Sequence, residues 1–246
     1  MELTYLEKEH RISASEADVA SLMRPGALFT LMQEIAGDHS ELLGCGRMAL
    51  LEKHDIVWML SRVAVKMDRY PKLYENIRIR TWPGATTRTT YPRYFEFYGE
   101  DGVRIGAAAS TWVLADLTSR KIVLPRSVEF TVPSDPDLIP PIEEAGRLRA
   151  DTEGGVSFTR TPGYEDIDEN GHMNNARYVD WITNLFPLSR HQHGRISEFA
   201  IHYAAELMPE QPVSIQLKED GDTFAVTGGP EGQMAFQAIG KWTAAG

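Results

Sequence analysis

Between Asp166 and Trp181 the chain reads D-I-D-E-N-G-H-M-N-N-A-R-Y-V-D-W, a run of carboxylates, asparagines and one histidine. Asp168, Asn170 and His172 alternate through a turn that contains Gly171. Met173, Ala176, Val179, Ile182 and Phe186 then recur at helical spacing, which predicts a helix over 172–186. The first turn of a helix carries unpaired N–H groups and the positive end of its dipole, both suited to a carbonyl that gains negative charge. Side chains of mixed protonation beside that terminus fit acyl chemistry. Taken singly, Asn170 is an ordinary cap and Asp168 an ordinary turn residue; the set, rather than any member, marks a site.

Two other patterns fail on their spacing. Asp166, Asp168, Asn170 and Gly171 copy the first half of a calcium loop, but the twelfth position is Arg177, which repels the ion. The loose glycine fingerprint at 44–49 follows a predicted helix, where a dinucleotide site needs a strand. His191 and His193 lack a clear set of partner ligands, so no metal is predicted.

The elements that must hold the polar run recur in one order. A strand at 4–13 leads to a helix that starts at Pro25 and carries Leu28, Leu31, Met32, Ile35, Ala36, His39 and Leu43 on a wide apolar stripe, with Gly44 as its cap. Strands follow at 57–67, 77–80, 94–98 and 107–117; in the first, Val57, Met59, Ser61, Val63, Val65 and Met67 are expected to share one buried side. Residues 128–150, with Pro133, Pro136, Pro140 and Pro141 among acidic residues, read as a linker. The order then returns: a strand at 157–161, the 172–186 helix, and strands at 196–205, 212–218, 223–227 and 233–242. The fold class is α+β, and the chain reads as two copies of one unit, 1–127 and 151–246. M-D-R-Y-P and A-E-L-M-P are expected to be equivalent phrases, and the polar run occurs only in the second copy.

The 246 residues, 42% of them hydrophobic, suffice for one large domain or two small ones. A net charge of −10 argues against nucleic acid or an anionic membrane as the main partner. An acidic partner would need a local basic patch, for which Arg177, Arg190 and Arg195 are candidates. No leader-like or membrane-spanning run is evident, and Cys45 is the lone cysteine, so a cytoplasmic setting is expected.

These residues place the chain beside a known family. It resembles the acyl-[acyl carrier protein] thioesterases along nearly its whole length: T-W-P at 81–83, R-Y-F at 93–95, S-T-W-V-L-A-D at 110–116, Arg120 with Pro125, and the full D-x-N-x-H-x-N-N-x-x-Y-x-x-W pattern from Asp168 to Trp181. The resemblance implies a double hotdog, two tandem units each with a long helix wrapped by a curled antiparallel sheet. It implies an N-terminal unit that binds the acyl chain and a C-terminal unit that carries the chemistry. By motif, the implied catalytic residues are Asp168, Asn170, His172 and, in Y-A-A-E-L, Glu206. The family's cysteine after that glutamate is Leu207 here, which excludes a cysteine nucleophile at that position.

The expected chemistry follows. Glu206, held against Asn170 and His172, acts as general base on water, and backbone N–H groups between His172 and Asn174 bind the thioester carbonyl. Asp168 either orients the turn or attacks the carbonyl itself. Asn174 is assigned to the substrate side, and Phe29, Met32, Trp58 and Met59 to an alkyl slot in the first unit. Tyr178 and Trp181 are packing residues. No metal or redox cofactor is implied, the partner is acyl carrier protein bearing a fatty acyl chain, and the chain is a monomer or homodimer. The rival readings are an acyl-coenzyme A thioesterase, a hotdog hydratase or dehydratase, and a non-catalytic acyl-binding protein.

Overall fold

The computed structural model describes residues 3–244, the side chain of Lys53 excepted, so the outermost residues of both expected units fall outside the description. The first unit holds β1 (Leu6–Arg11), α1 (Pro25–Leu42), α2 (Arg47–His54), β2 (Ile56–Met67), β3 (Asn76–Pro83), β4 (Tyr91–Tyr98), β5 (Arg104–Asp116) and the two-residue β6 (Ile122–Val123). The second holds β7 (Val156–Arg160), α3 (Asn175–Thr183), α4 (Leu188–His193), β8 (Gly194–Tyr203), β9 (Val213–Asp220), β10 (Thr223–Gly229) and β11 (Phe236–Ala244). Both follow the same path of strand, helix and four strands.

The strands form one antiparallel sheet in the order β1-β3-β4-β5-β2-β8-β11-β10-β9-β7, with β6 on β5. Counted within its own unit, each half runs first-third-fourth-fifth-second, and the two second strands meet at the centre. There β2 and β8 pair with Ala64 opposite Ala200. This is a double hotdog: an internal dimer about a pseudo-dyad, with α1 and α3 packed together on one face. Gly26 permits their approach, since a Cβ there would sit 1.9 Å from Asp180 Oδ1. The core between helices and sheet includes Leu28, Ile35, Phe95, Val179, Ile201 and Phe236, all essentially inaccessible.

Three expectations are corrected. First, β2 does not alternate evenly: Leu60 faces Trp112 and Arg62 faces Thr111, which leaves Ser61 as a bulge. The extra residue reverses the parity, so Ile56, Trp58 and Leu60 share the buried face with Val63, Val65 and Met67, and Met59 is turned from it. Second, the predicted 172–186 helix is only Asn175–Thr183. Asn174 caps it, its Oδ1 accepting the Ala176 N–H at 2.9 Å, so Met173 and Phe186 contribute core side chains from outside the helix. Third, the proline-rich stretch is a strap on the sheet and not a free spacer. Leu138 and Ile142 pack on Trp82, Tyr94 and Ala109 across the face opposite α1, and Glu144 accepts from Tyr94 Oη at 3.0 Å and Thr111 Oγ1 at 3.1 Å.

Candidate active site

The polar phrase folds as a closed turn in front of α3. Asp168 N–H donates to His172 O, Gly171 N–H to Asp168 O and Asn174 N–H to Asp166 O, at 3.0, 3.0 and 2.8 Å. Asp168 Oδ1 accepts the Asn170 N–H at 2.8 Å, and Gly171 takes the left-handed φ of 80° that closes the loop. The result points His172 inward, half-buried, while Asn170 stays exposed.

Glu206 reaches this turn from the segment after β8. Met173 N–H donates to Leu207 O at 2.8 Å, which fixes that segment beside the turn. His172 Nε2 then lies 3.3 Å from Glu206 Oε1. Leu207 is fully buried, and its N–H donates to Tyr178 Oη at 3.2 Å. Burial pushes the Tyr178 hydroxyl well above its ordinary pKa, and the nearby charges of Glu206 and Asp168 add to the effect, so it remains a neutral phenol.

The first unit completes the set with two arginines that span the dyad. Arg120, in the turn between β5 and β6 with φ 57°, donates from Nη2 to Glu206 Oε2 at 3.0 Å. Arg47, at the start of α2, donates from Nη2 to Asn170 Oδ1 at 3.0 Å and lies 3.1 Å from Glu169 Oε1. Glu206 is therefore held between an imidazole and a guanidinium from different units. Asn170 is held by Arg47, so the expected support of Glu206 by Asn170 is replaced by support from Arg120.

Two of the three expected carbonyl-binding N–H groups are already bonded. The N–H groups of Met173 and Asn174 are spent on Leu207 O and Asp166 O. Among the described residues, the N–H groups of His172 and Asn175 are those of this stretch left without a partner. Asn174 caps the helix with its side-chain oxygen.

On the first-unit side a cavity of about 200 Å³ lies between α1 and the sheet. Gln33, Ser40, Trp58, Tyr91 and Arg93 line it, and so does Arg47, the residue that holds Asn170. Arg47 thus links this cavity to the polar turn, although neither the turn's own residues nor Glu206 line it. Trp58 stands in the cavity wall, its Nε1–H on Cys45 O at 2.8 Å and its ring 4.8 Å from that of Tyr91. Phe29 and Met32 are buried deeper, around a void of about 10 Å³. Met59 lines neither space, as the bulge at Ser61 requires.

The three candidate patch arginines do not form one basic face. Arg177 pairs with Asp180 at 3.0 Å, Arg190 lies over the Trp242 ring at 5.2 Å, and Arg195 donates to the His191 and Gly194 carbonyls. No group of three His, Cys, Asp or Glu among the described residues could hold a metal ion.

Comparison with known proteins decides the family. Residues 4–126 match the acyl-ACP thioesterase N-terminal domain and residues 152–243 the acyl-ACP thioesterase C-terminal domain. The chain belongs to the acyl-ACP thioesterase family. A palmitoyl-acyl carrier protein thioesterase of Gossypium hirsutum is 30% identical over 191 residues, covering 73% of this chain and 46% of that protein. A dodecanoyl-[acyl-carrier-protein] hydrolase of Cinnamomum camphora is 29% identical over 194 residues, covering 73% and 50%. The chain thus spans about half the length of the curated relatives it matches. The crystal structure of an acyl-ACP thioesterase from Bacteroides thetaiotaomicron superposes with a TM-score of 0.89 at 29% identity, over 98% of this chain and 99% of that one. The 12:0-ACP thioesterase from Umbellularia californica shares the fold, with a TM-score of 0.79 at 21% identity over 98% of both.

Within this family frame, sequence reasoning missed the part of Arg47 and the reach of Arg120. Arg120 belonged to the family phrase, but its contact with Glu206 spans 86 positions and no local pattern announces it.

Proposed function

We propose that the chain hydrolyses the thioester of fatty acyl-acyl carrier protein, releasing the free acid and the carrier thiol. The observation that carries the reading is the Glu206 carboxylate set between His172 at 3.3 Å and Arg120 at 3.0 Å, with Arg47 reaching from the first-unit cavity to Asn170 of the same turn. Family membership supports the same reaction.

In this mechanism Glu206 takes a proton from water as the oxygen attacks the thioester carbon. The His172 and Asn175 N–H groups, at the positive end of α3, receive the developing oxyanion, and collapse of the tetrahedral intermediate expels the thiolate, which takes up a proton. His172 keeps the carboxylate aligned. Its Nδ1 lies 3.5 Å from Met173 O, too far for a firm hydrogen bond, so Glu206 is the contact that orients the ring. Asp168 acts by holding the turn. Support for that role comes from Asp18, which makes the same turn in the first unit, where Leu22 stands in place of the histidine.

The chain has a cytoplasmic role on this reading, consistent with its single, buried Cys45; no helix among the described residues is long and apolar enough to cross a membrane. Thiol release measured in parallel on acyl-carrier and acyl-coenzyme A thioesters tests the function. Higher kcat/KM on the carrier substrates is expected. Preference for coenzyme A would move the chain to the rival thioesterase reading, and no release from either would overturn hydrolysis.

A further inference from the structure

The cavity between α1 and the sheet is not a plain hydrocarbon slot. Arg93, on β4, is 6% exposed, and every group it bonds is neutral. Nη1 donates to His39 Nδ1 at 3.0 Å and to Thr81 Oγ1 at 3.3 Å, and Nη2 to Ser40 Oγ at 3.3 Å. His39 is fully buried, and its Nε2–H goes to Leu3 O at 3.1 Å, which leaves Nδ1 as the acceptor. Among the described residues no carboxylate lies within ion-pair distance of Arg93. A buried guanidinium without a counter-ion costs several kcal/mol, and proteins rarely keep one without use.

Two further polar groups line the same cavity. Gln33 Nε2, from α1, and Tyr91 Oη, from β4, are both shielded from solvent and bond nothing in the protein. Each orphaned buried group has its own desolvation cost. A guanidinium and an amide NH₂ only donate, and a phenol donates readily, so the missing partner is an acceptor. Trp58, Trp112, Ala36 and Val132 make up an apolar part of the wall, while Glu41 and Arg47 line it with a carboxylate and a second guanidinium. An acceptor carried on a hydrocarbon chain matches both halves of that lining.

We propose that this cavity takes an acyl chain bearing an oxygen acceptor beyond the thioester, an oxo, hydroxyl or carboxylate oxygen, which Arg93, Gln33 and Tyr91 bind. The proposal rests on the thioesterase reading and narrows its substrate class from plain fatty acyl groups to oxygenated ones. Arg93 supplies the charge, His39 and Ser40 hold its plane, and Gln33 and Tyr91 supply the two donors that the protein itself leaves free.

The test uses the whole chain and two readouts. Thiol release is measured on acyl-carrier thioesters of matched length, plain or with an oxo, hydroxyl or carboxylate oxygen at successive carbons. Binding is measured by calorimetry on S-alkyl pantetheines with the same chains, which cannot be hydrolysed. In at least one oxygenated series both readouts should favour the oxygenated chain over its plain counterpart by about tenfold. Gln33→Met and Tyr91→Phe remove atoms that bond nothing in the protein, so both variants should fold, and each should cut the oxygenated-to-plain ratio about fivefold. Plain chains bound and cleaved as well as every oxygenated counterpart would overturn the proposal; the polar groups would then serve only to hold water. A preference that survives both variants would equally overturn this cavity as its source. An oxygenated preference in binding without any thiol release would uphold the cavity and overturn the hydrolase reading.

Discussion

The turn before α1 and the turn before α3 share their backbone hydrogen bonds, and they differ in that Leu22 N–H also donates to Asp18 Oδ1 at 3.0 Å where His172 N–H is left free. Asp18 N–H donates to Leu22 O as Asp168 N–H does to His172 O, Ser21 N–H to Asp18 O as Gly171 N–H to Asp168 O, and Arg24 N–H to Glu16 O as Asn174 N–H to Asp166 O. Asp18 Oδ1 accepts from Ala20 as Asp168 Oδ1 accepts from Asn170, both at 2.8 Å. Met23 N–H reaches Pro71 O as Met173 N–H reaches Leu207 O, which makes Tyr70 the counterpart of Glu206. What differs is the side chains on this shared frame. Leu22, Ala20 and Tyr70 stand where His172, Asn170 and Glu206 stand, and Tyr70 is buried with its hydroxyl on Ile196 O at 3.0 Å. One copy carries polar groups on the turn; the other has a buried Tyr70 and a partly buried Leu22 packed against the core. The aspartate is common to both, so its first task is backbone order.

Perturbing one copy and its counterpart sharpens that contrast. Replacing His172 with Ala should lower kcat about 10²-fold or more, as expected for a group that aligns a general base, with little change in Tm. A comparable change at Leu22 should register as lost packing, below the roughly 2–5 kcal/mol of a fully buried Leu→Ala because Leu22 is only partly buried, without a change in kcat.

A different asymmetry concerns the buried histidine of the first unit. His39 has its pKa lowered to about 4, first by burial and then by the Arg93 charge. The folded form therefore resists protonation while the unfolded chain takes up a proton near pH 6.5. Stability should be flat above about pH 7 and fall between pH 6.5 and 4, by up to about 3 kcal/mol. Urea midpoints across that window check it, and His39→Asn should flatten the slope.

The two aspartates allow the most even-handed comparison. Asp18→Ala and Asp168→Ala should each cost about 1 kcal/mol through the lost turn bonds. Asp18→Ala should leave kcat intact, whereas Asp168→Ala should also disturb the set it holds. If Asp168→Asn folds normally and still abolishes turnover, the carboxylate takes part in the chemistry and its likeness to Asp18 is misleading.

The smallest structural effect is expected at Arg120. A half-exposed ion pair of this type contributes about 0.2–1 kcal/mol, so Arg120→Ala should barely move Tm. Its loss should appear as a fall in kcat with KM nearly unchanged and a displaced pH profile, and Arg120→Lys should restore part of it.

Much of this arrangement was readable from residue order. Helical and alternating periods gave the elements and their repetition, because both copies bury one face of each element. Local parity was not readable at Ser61, where one inserted residue moves Trp58 inward and Met59 outward. The pairing of M-D-R-Y-P with A-E-L-M-P was two positions out of step, since the backbone bonds match Pro71 with Leu207 and not with Pro209. The polar turn, His172 and Glu206 were legible as types, and their meeting was an expectation that the 3.3 Å contact realises. Arg47 and Arg120 were not, because they arrive from the other unit, 123 and 86 positions from their partners.

Paired thiol-release kinetics of Glu206→Gln and Tyr70→Phe, the same position in the two copies, test the account most directly. Glu206→Gln should lose about 10²–10⁴ in kcat while Tyr70→Phe turns over at close to the unmodified rate. A Glu206→Gln variant that hydrolyses acyl-carrier thioesters at the unmodified rate would contradict it.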